Sequence, residues 1–113
     1  MDKYLQAEKE LAELLGWKDV GTGVLEGLSG RPPKPTGGKF WHKVPNWTGD
    51  NAAAFTLMVE QRLLVSVDDV EIEANFGGST FIRIADHPDK EAAVRYAIVQ
   101  AVIAKLRSEH AKP

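Results

Sequence analysis

The chain has no cysteine and only three histidines in 113 residues. Without cysteine, the protein has no disulfide, no thiolate nucleophile and no cysteine-ligated metal. The histidines, His42, His87 and His110, do not form the i,i+4 pair of a helical zinc motif. No serine or threonine has a base at the spacing of a nucleophile motif. We therefore predict no metal, no cofactor and no catalytic residue, and a protein that is not an enzyme.

Long hydrophobic runs are also missing, since no stretch approaches the roughly 18 apolar residues that a membrane span needs. Hydrophobic residues make up 43% of the chain and charged residues 27%, a composition typical of globular proteins. The length predicts a single domain over residues 1–113. The first residues, MDKYLQAEKELAEL, are acidic and helical in pattern, unlike a signal peptide. We expect a soluble, cytoplasmic protein.

Acidic residues are absent from the 23 residues between Glu26 and Asp50, although the chain as a whole carries a net charge of −2. This segment contains four bases, Arg31, Lys34, Lys39 and Lys43, whereas the rest of the chain has ten bases against sixteen acids. Such a local positive charge attracts a small anion or an acidic protein surface without making the whole protein basic. We interpret residues 27–43 as a basic loop rich in proline and glycine.

The basic loop contains the aromatic residues Phe40 and Trp41, and Trp47 follows it. Rings beside cations are the combination that stacks on and neutralises a nucleotide. The same residues are also typical anchors of protein interfaces. A third interpretation is that the segment is a solvated loop that only connects two elements, and that its lysines have no binding role. If the loop binds a ligand, the candidate binding residues are Arg31, Lys34, Lys39, Trp41, His42, Lys43, Trp47 and Arg95.

Arg95 is a candidate because helical spacing places it in the apolar sector of the last helix. An arginine in such a sector costs stability unless its guanidinium is paired or reaches water. Our first interpretation is an ion pair with an acid such as Glu71 or Glu73. The alternative is that Arg95 lines an anion pocket, where its fork of donors suits phosphate.

Hydrophobic periodicity predicts three helices, over residues 2–16, 50–62 and 86–107. Asp2 and Asp86 are predicted caps, and Asp50 or Thr48 caps the second helix. The buried stripe predicted for the second helix is Ala52, Phe55, Val59 and Leu63. The third helix is apolar around most of its circumference, so a free face is left for the first helix or another subunit. We expect a homo-oligomer.

Alternating hydrophobicity predicts strands at residues 64–67, 70–76 and 80–85, with weaker extended segments at 20–28 and 40–44. In the clearest strand, Val70, Ile72, Ala74 and Phe76 are expected to face the core. Short hairpins join these strands, so the sheet is predicted to be antiparallel. The predicted fold class is α+β, a layered α/β/α sandwich with a small antiparallel sheet of three or four strands and three helices.

Three segments, VPNWTGDNAAAFTLMVEQ at 44–61, LAELLGWKD at 11–19 and HPDKEAAVRYAIVQAVIAKL at 87–106, resemble the phage ABA-sandwich domain proteins. These small proteins of phages and prophages share an N-terminal helix ending in Gly-Trp and a proline-aromatic turn into an alanine-rich helix. Pro45, Trp47, Thr48 and Asp50 match that turn. The motifs are structural, so the resemblance assigns no functional residue.

The resemblance implies a phage gene product that acts in the bacterial host cytoplasm. Compact, non-enzymatic phage proteins of this size often counteract host anti-phage defence. The leading hypothesis is therefore a binding protein, a sponge, that sequesters an anionic nucleotide signal. The alternatives are an inhibitor that binds an acidic surface of a host defence complex, in the manner of an anti-CRISPR, and a phage accessory or structural protein.

Overall fold

A computed structural model describes residues 2–22, 27–33 and 41–111. Within these residues the chain forms three helices and two three-stranded antiparallel sheets, so the predicted α+β class is confirmed. The elements in chain order are α1 (Lys3–Leu14), β1 (Lys18–Thr22), β2 (Leu28–Arg31), β3 (His42–Lys43), α2 (Asn51–Glu60), β4 (Leu64–Val67), β5 (Glu71–Asn75), β6 (Ser79–Arg83) and α3 (Lys90–Ala111).

Each helix begins after an aspartate whose side chain accepts a hydrogen bond from a free amide of the first turn. Asp2 Oδ1 accepts from the Leu5 amide at 2.8 Å, and Asp50 Oδ1 accepts from the Ala52 amide at 3.2 Å, as predicted. The prediction of Asp86 as the cap of α3 is wrong, because residues 84–86 form a short 3-10 turn. Asp89 takes that role, with the Ala92 amide at 2.8 Å from its Oδ1.

Helix α3 lies at the centre of the fold and packs against α1, α2, β5 and β6. The residues of its main apolar stripe are buried or half-buried, namely Ala92, Tyr96, Val99, Ile103 and Leu106. The alanines on the other side, Ala93, Ala97 and Ala101, are buried too. Because α1 packs on α3, this apolar circumference no longer indicates another subunit. Alanine at these positions lets helices approach closely at little cost in side-chain entropy.

The second sheet has the order β4-β5-β6, and Ile72 and Ala74 of β5 are buried on the side of α3. The prediction that Val70 faces the core is wrong, since its side chain is 65% exposed. Val70 precedes β5 in the turn, where the Asp68 carboxylate accepts hydrogen bonds from the amides of Val70 and Glu71. The alternation that governs a strand does not extend into this turn.

The stripe predicted for α2 is on the wrong face. Phe55 is 60% exposed and Val59 is exposed as well, whereas Ala54 and Leu57 are buried. The helix NAAAFTLMVE is apolar on several sides, so its periodicity does not distinguish the face that contacts α3. Of the predicted stripe, Leu63 is buried, just beyond the end of the helix.

The first sheet has the order β1-β2-β3, and it includes part of the stretch interpreted as a basic loop. Leu28, Ser29 and Gly30 of β2 are buried beneath neighbouring elements. The sequence indicated only weak extended segments here, because glycine lowers the strand propensity of the whole region. The sheet is built from close backbone contacts that glycine permits.

Gly30→Ala should lower the free energy of unfolding by about 1–3 kcal/mol, the usual range for overpacking. A Cβ at this position would lie 3.0 Å from the carbonyl oxygen of Lys18 and 3.2 Å from the Cα of Val20, both backbone atoms. Urea unfolding measures the change. Gly21→Ala in β1 is the matched control, because a Cβ there meets no atom within 4 Å; equal effects of the two substitutions would contradict this packing.

Candidate functional site

A cleft of about 610 Å³ lies where the first half of α1 and the start of α3 meet the residues around β2 and β3. Four charged residues line it, namely Asp2, Glu8, Lys43 and Arg95. The volume is within the range of small-molecule sites, roughly 300–1,000 Å³. The cleft therefore combines a suitable size with charges of both signs.

Thr48 connects two of these charged residues in the wall of the cleft. Its amide and its hydroxyl both donate to Glu8 Oε2, each at 2.9 Å. Its carbonyl oxygen accepts from Arg95 Nε at 2.8 Å, and Arg95 Nη1 donates to Asn51 Oδ1 at 2.7 Å. Glu8 and Thr48 are buried, so these bonds satisfy groups that would otherwise be costly to remove from water.

Burial raises the pKa of the Glu8 carboxyl above its ordinary value, and the hydrogen bonds from Thr48 oppose this by favouring the ionised form. The nearby carboxylate of Asp2 adds to the upward shift. Glu8 is thus easier to protonate than an exposed glutamate. A raised pKa in a cleft is a feature of functional sites, although structural networks produce it too.

Tyr4 lines the same cleft and belongs to an aromatic cluster with His87 and Tyr96. The Tyr4 hydroxyl lies 2.6 Å from His87 Nδ1. Burial and the adjacent Lys3 ammonium lower the pKa of His87, and burial raises the pKa of Tyr4. The hydrogen bond between the Tyr4 hydroxyl and His87 Nδ1 holds the tyrosine ring at the edge of the cleft.

Of the predicted binding residues that the structure describes, Lys43 and Arg95 come together and line the cleft. The interpretation of Arg95 as the partner of Glu71 or Glu73 is wrong, because its guanidinium bonds Thr48 and Asn51 instead. Since α3 begins at Lys90, Arg95 lies near the start of the helix and close to the turn that leads into α2.

The other candidates lie elsewhere. Arg31 forms an ion pair with Asp19. Trp47 is 6% exposed and belongs to the hydrophobic core. Trp41 and His42 are exposed and do not line the cleft. Lys34 and Lys39 lie outside the described residues.

Sequence reasoning missed Glu8 and Tyr4. A signal was present, because Glu8 falls within the stripe formed by Leu5, Leu11 and Ala12 at spacings of three and four residues. A carboxylate in an apolar stripe predicts a buried partner. The identity of that partner, Thr48, required the tertiary structure.

Comparisons with family models, with curated proteins and with solved structures find no match for this chain. None of the helices that the structure describes is long and apolar enough to cross a membrane. Within residues 2–22, 27–33 and 41–111, no group of three or more histidine, aspartate or glutamate side chains could hold a metal ion.

Trp47→Ala should lower the free energy of unfolding by about 3–5 kcal/mol, because it leaves a large cavity in the core. Trp41→Ala is the matched control and should leave stability nearly unchanged, since the Trp41 side chain is 57% exposed. Thermal and urea unfolding distinguish the two. A small effect at Trp47, or a large one at Trp41, would contradict this placement of the rings.

Glu8→Gln should remove a pH dependence of stability. Because the pKa of Glu8 is raised in the folded state, its contribution to stability is greatest below the ordinary carboxyl pKa and declines as the pH rises through the raised value. Glutamine stays neutral, and its oxygen can still accept the bonds from Thr48. Urea unfolding between about pH 4 and pH 8 measures the slope.

Glu13→Gln on the exposed side of α1 is the matched control and should retain the decline of the native protein. The same slope for Glu8→Gln and the native protein would show that Glu8 is not the group responsible.

Proposed function

We propose that the protein is a non-enzymatic binding protein that holds an anionic small molecule, a nucleotide, in the cleft. The observation that carries this proposal is the convergence of Lys43 and Arg95 on one cleft from distant parts of the chain. Two cations from separate elements supply the charge-assisted hydrogen bonds that phosphate groups accept. The proposal concerns this cleft rather than the whole basic loop.

Arg95 is the better ordered of the two cations. Its Nε and Nη1 atoms are fixed by Thr48 and Asn51, whereas its Nη2 atom has no hydrogen-bond partner among the described residues. A guanidinium held in this way loses little side-chain entropy when it binds a ligand. Lys43 is exposed on β3 and can reach a second oxygen.

The acidic residues of the cleft restrict the choice of ligand. Asp2 and an ionised Glu8 repel an anion, so binding is favoured when Glu8 is protonated, and its raised pKa makes this easier. A ligand that carries hydrogen-bond donors as well as phosphate also suits this mixture. Nucleotides have both, since their bases and sugars donate hydrogen bonds.

The biological setting we propose is the bacterial host cytoplasm, where a phage-derived protein of this kind would sequester a nucleotide signal of anti-phage defence. This setting rests on the sequence resemblance to the phage ABA-sandwich domain proteins. The cleft supports the binding part of the proposal, since two cations, Lys43 and Arg95, line it.

A second candidate function, inhibition of a host defence protein by direct contact, is favoured by the exposed ring of Trp41 beside His42 and Lys43. Exposed tryptophan next to a cation is typical of residues that anchor protein interfaces. In this case the cleft would bind no ligand, and the surface of β3 would be the site that contacts the host protein.

Lys43→Ala should weaken nucleotide binding about tenfold or more, because a hydrogen bond to a charged group contributes about 1.5–3 kcal/mol. Calorimetry with linear and cyclic adenine and guanine nucleotides, and with inorganic pyrophosphate, measures the affinity. Arg95→Lys should also weaken binding, because lysine keeps the charge but loses the planar fork.

Lys18→Ala is the matched control, since Lys18 is an exposed lysine of the same sheet that does not line the cleft. It should bind as tightly as the native protein. The inhibitor function would be favoured instead if no nucleotide binds and the native protein captures a host protein that the Trp41→Ala variant does not capture. Equal weakening by Lys18→Ala and Lys43→Ala would show non-specific attraction.

A further inference from the structure

The outer edge of the second sheet, at β4, is apolar, and no other strand of the described residues pairs with it. The strand LVSV carries no charge, Leu64 is 75% exposed and Val67 is exposed too. Among the residues that the structure describes, β4 pairs only with β5. Such an edge is a template for another strand unless charge, proline or a covering element protects it.

The pairing register shows which backbone groups of β4 are free. The Asp68 amide donates to the Glu71 carbonyl at 3.1 Å, so this pair is hydrogen-bonded. Hydrogen-bonded pairs alternate along an antiparallel ladder, and Ser66 is opposite Glu73 in the next such pair. The amides and carbonyls of Val65 and Val67 therefore point away from β5, toward the open edge.

The charges at the two ends of β4 have opposite signs, so the β4 edges of two copies of the chain attract each other when they run antiparallel. Arg62 precedes the strand, and Asp68 and Asp69 follow it. When two copies of this edge run antiparallel, the arginine of each lies beside the aspartates of the other. A parallel arrangement places like charges together and is disfavoured.

We propose that β4 pairs antiparallel with β4 of a second copy of this chain, which joins the two β4-β5-β6 sheets into one continuous sheet. A two-fold axis near Ser66 lets the free amide of each Val67 donate to the carbonyl of Val65 in the other copy. The proposal does not depend on the ligand of the cleft.

The exposed face of α2 extends this surface. A groove between α2 and α3 is lined by Phe55, Met58 and Val67, so the exposed Phe55 ring is next to the end of β4. The strand edge and the helix face therefore form one apolar surface. Backbone bonds set the register, and burial of these side chains supplies the hydrophobic contribution.

The experiment is sedimentation equilibrium combined with amide hydrogen exchange at several concentrations of the full chain. We expect a dimer, with the Val65 and Val67 amides protected only at concentrations where the dimer forms. Val67→Pro removes an outward amide without touching the ladder to β5, and it should weaken dimerisation at least tenfold. Phe81→Pro is the matched control, because the register leaves its amide free on the opposite edge, at β6.

Charge exchange tests the orientation. Arg62→Asp should weaken the dimer several-fold, and adding Asp69→Arg in the same chain should restore it, because the contact is reformed with reversed signs. Asp also suits position 62, where φ is +57°. A monomer at tens of micromolar, a dimer without protection of Val65 and Val67, or disruption by Phe81→Pro alone would overturn the proposal.

Discussion

The hydrogen bonds of Thr48 tie the start of α2 to both of the other helices. Its amide and hydroxyl bind Glu8 of α1, and its carbonyl binds Arg95 of α3. Because Glu8 and Thr48 are buried, loss of either partner would leave a polar group without compensation, which costs about 1–3 kcal/mol. The turn between β3 and α2 is therefore fixed by specific bonds as well as by burial of Trp47.

This constraint also forms the cleft. The bonds of Thr48 and Asn51 hold Arg95 in the wall of the cleft that Lys43 also lines, and the burial that makes Glu8 a structural acceptor raises its pKa. The residues that support the fold here are therefore also residues of the proposed binding site. Lys43 is exposed, and its side chain has no hydrogen bond or ion pair with the residues that the structure describes. Its substitution therefore tests the proposed binding more cleanly than substitution of Glu8 or Thr48.

The two sheets are joined through helices. Helix α1 packs on the first sheet and α3 packs on the second, and α1 and α3 pack on each other. The alanines of α3 permit this close helix contact while the larger residues on its other sides fill the core. Both edges of the second sheet are left open within the described residues, and they differ in charge, since β6 contains Arg83 and β4 has no charged residue.

The sequence by itself determined the features that depend on local chemistry: the cap at Asp2, the strand at Leu64–Val67, and the α+β class. For α2 it indicated Asp50 or Thr48, and the structure has Asp50 as the cap. Only the tertiary structure decided which face of α2 is buried, because an apolar helix gives no periodic signal for one face. It also decided the partners of Glu8 and Arg95. A polar side chain in an apolar stripe predicts that a hydrogen-bond partner exists, but the sequence does not show which residue that partner is. The candidate site consists of contacts between residues far apart in the chain, which no local pattern encodes.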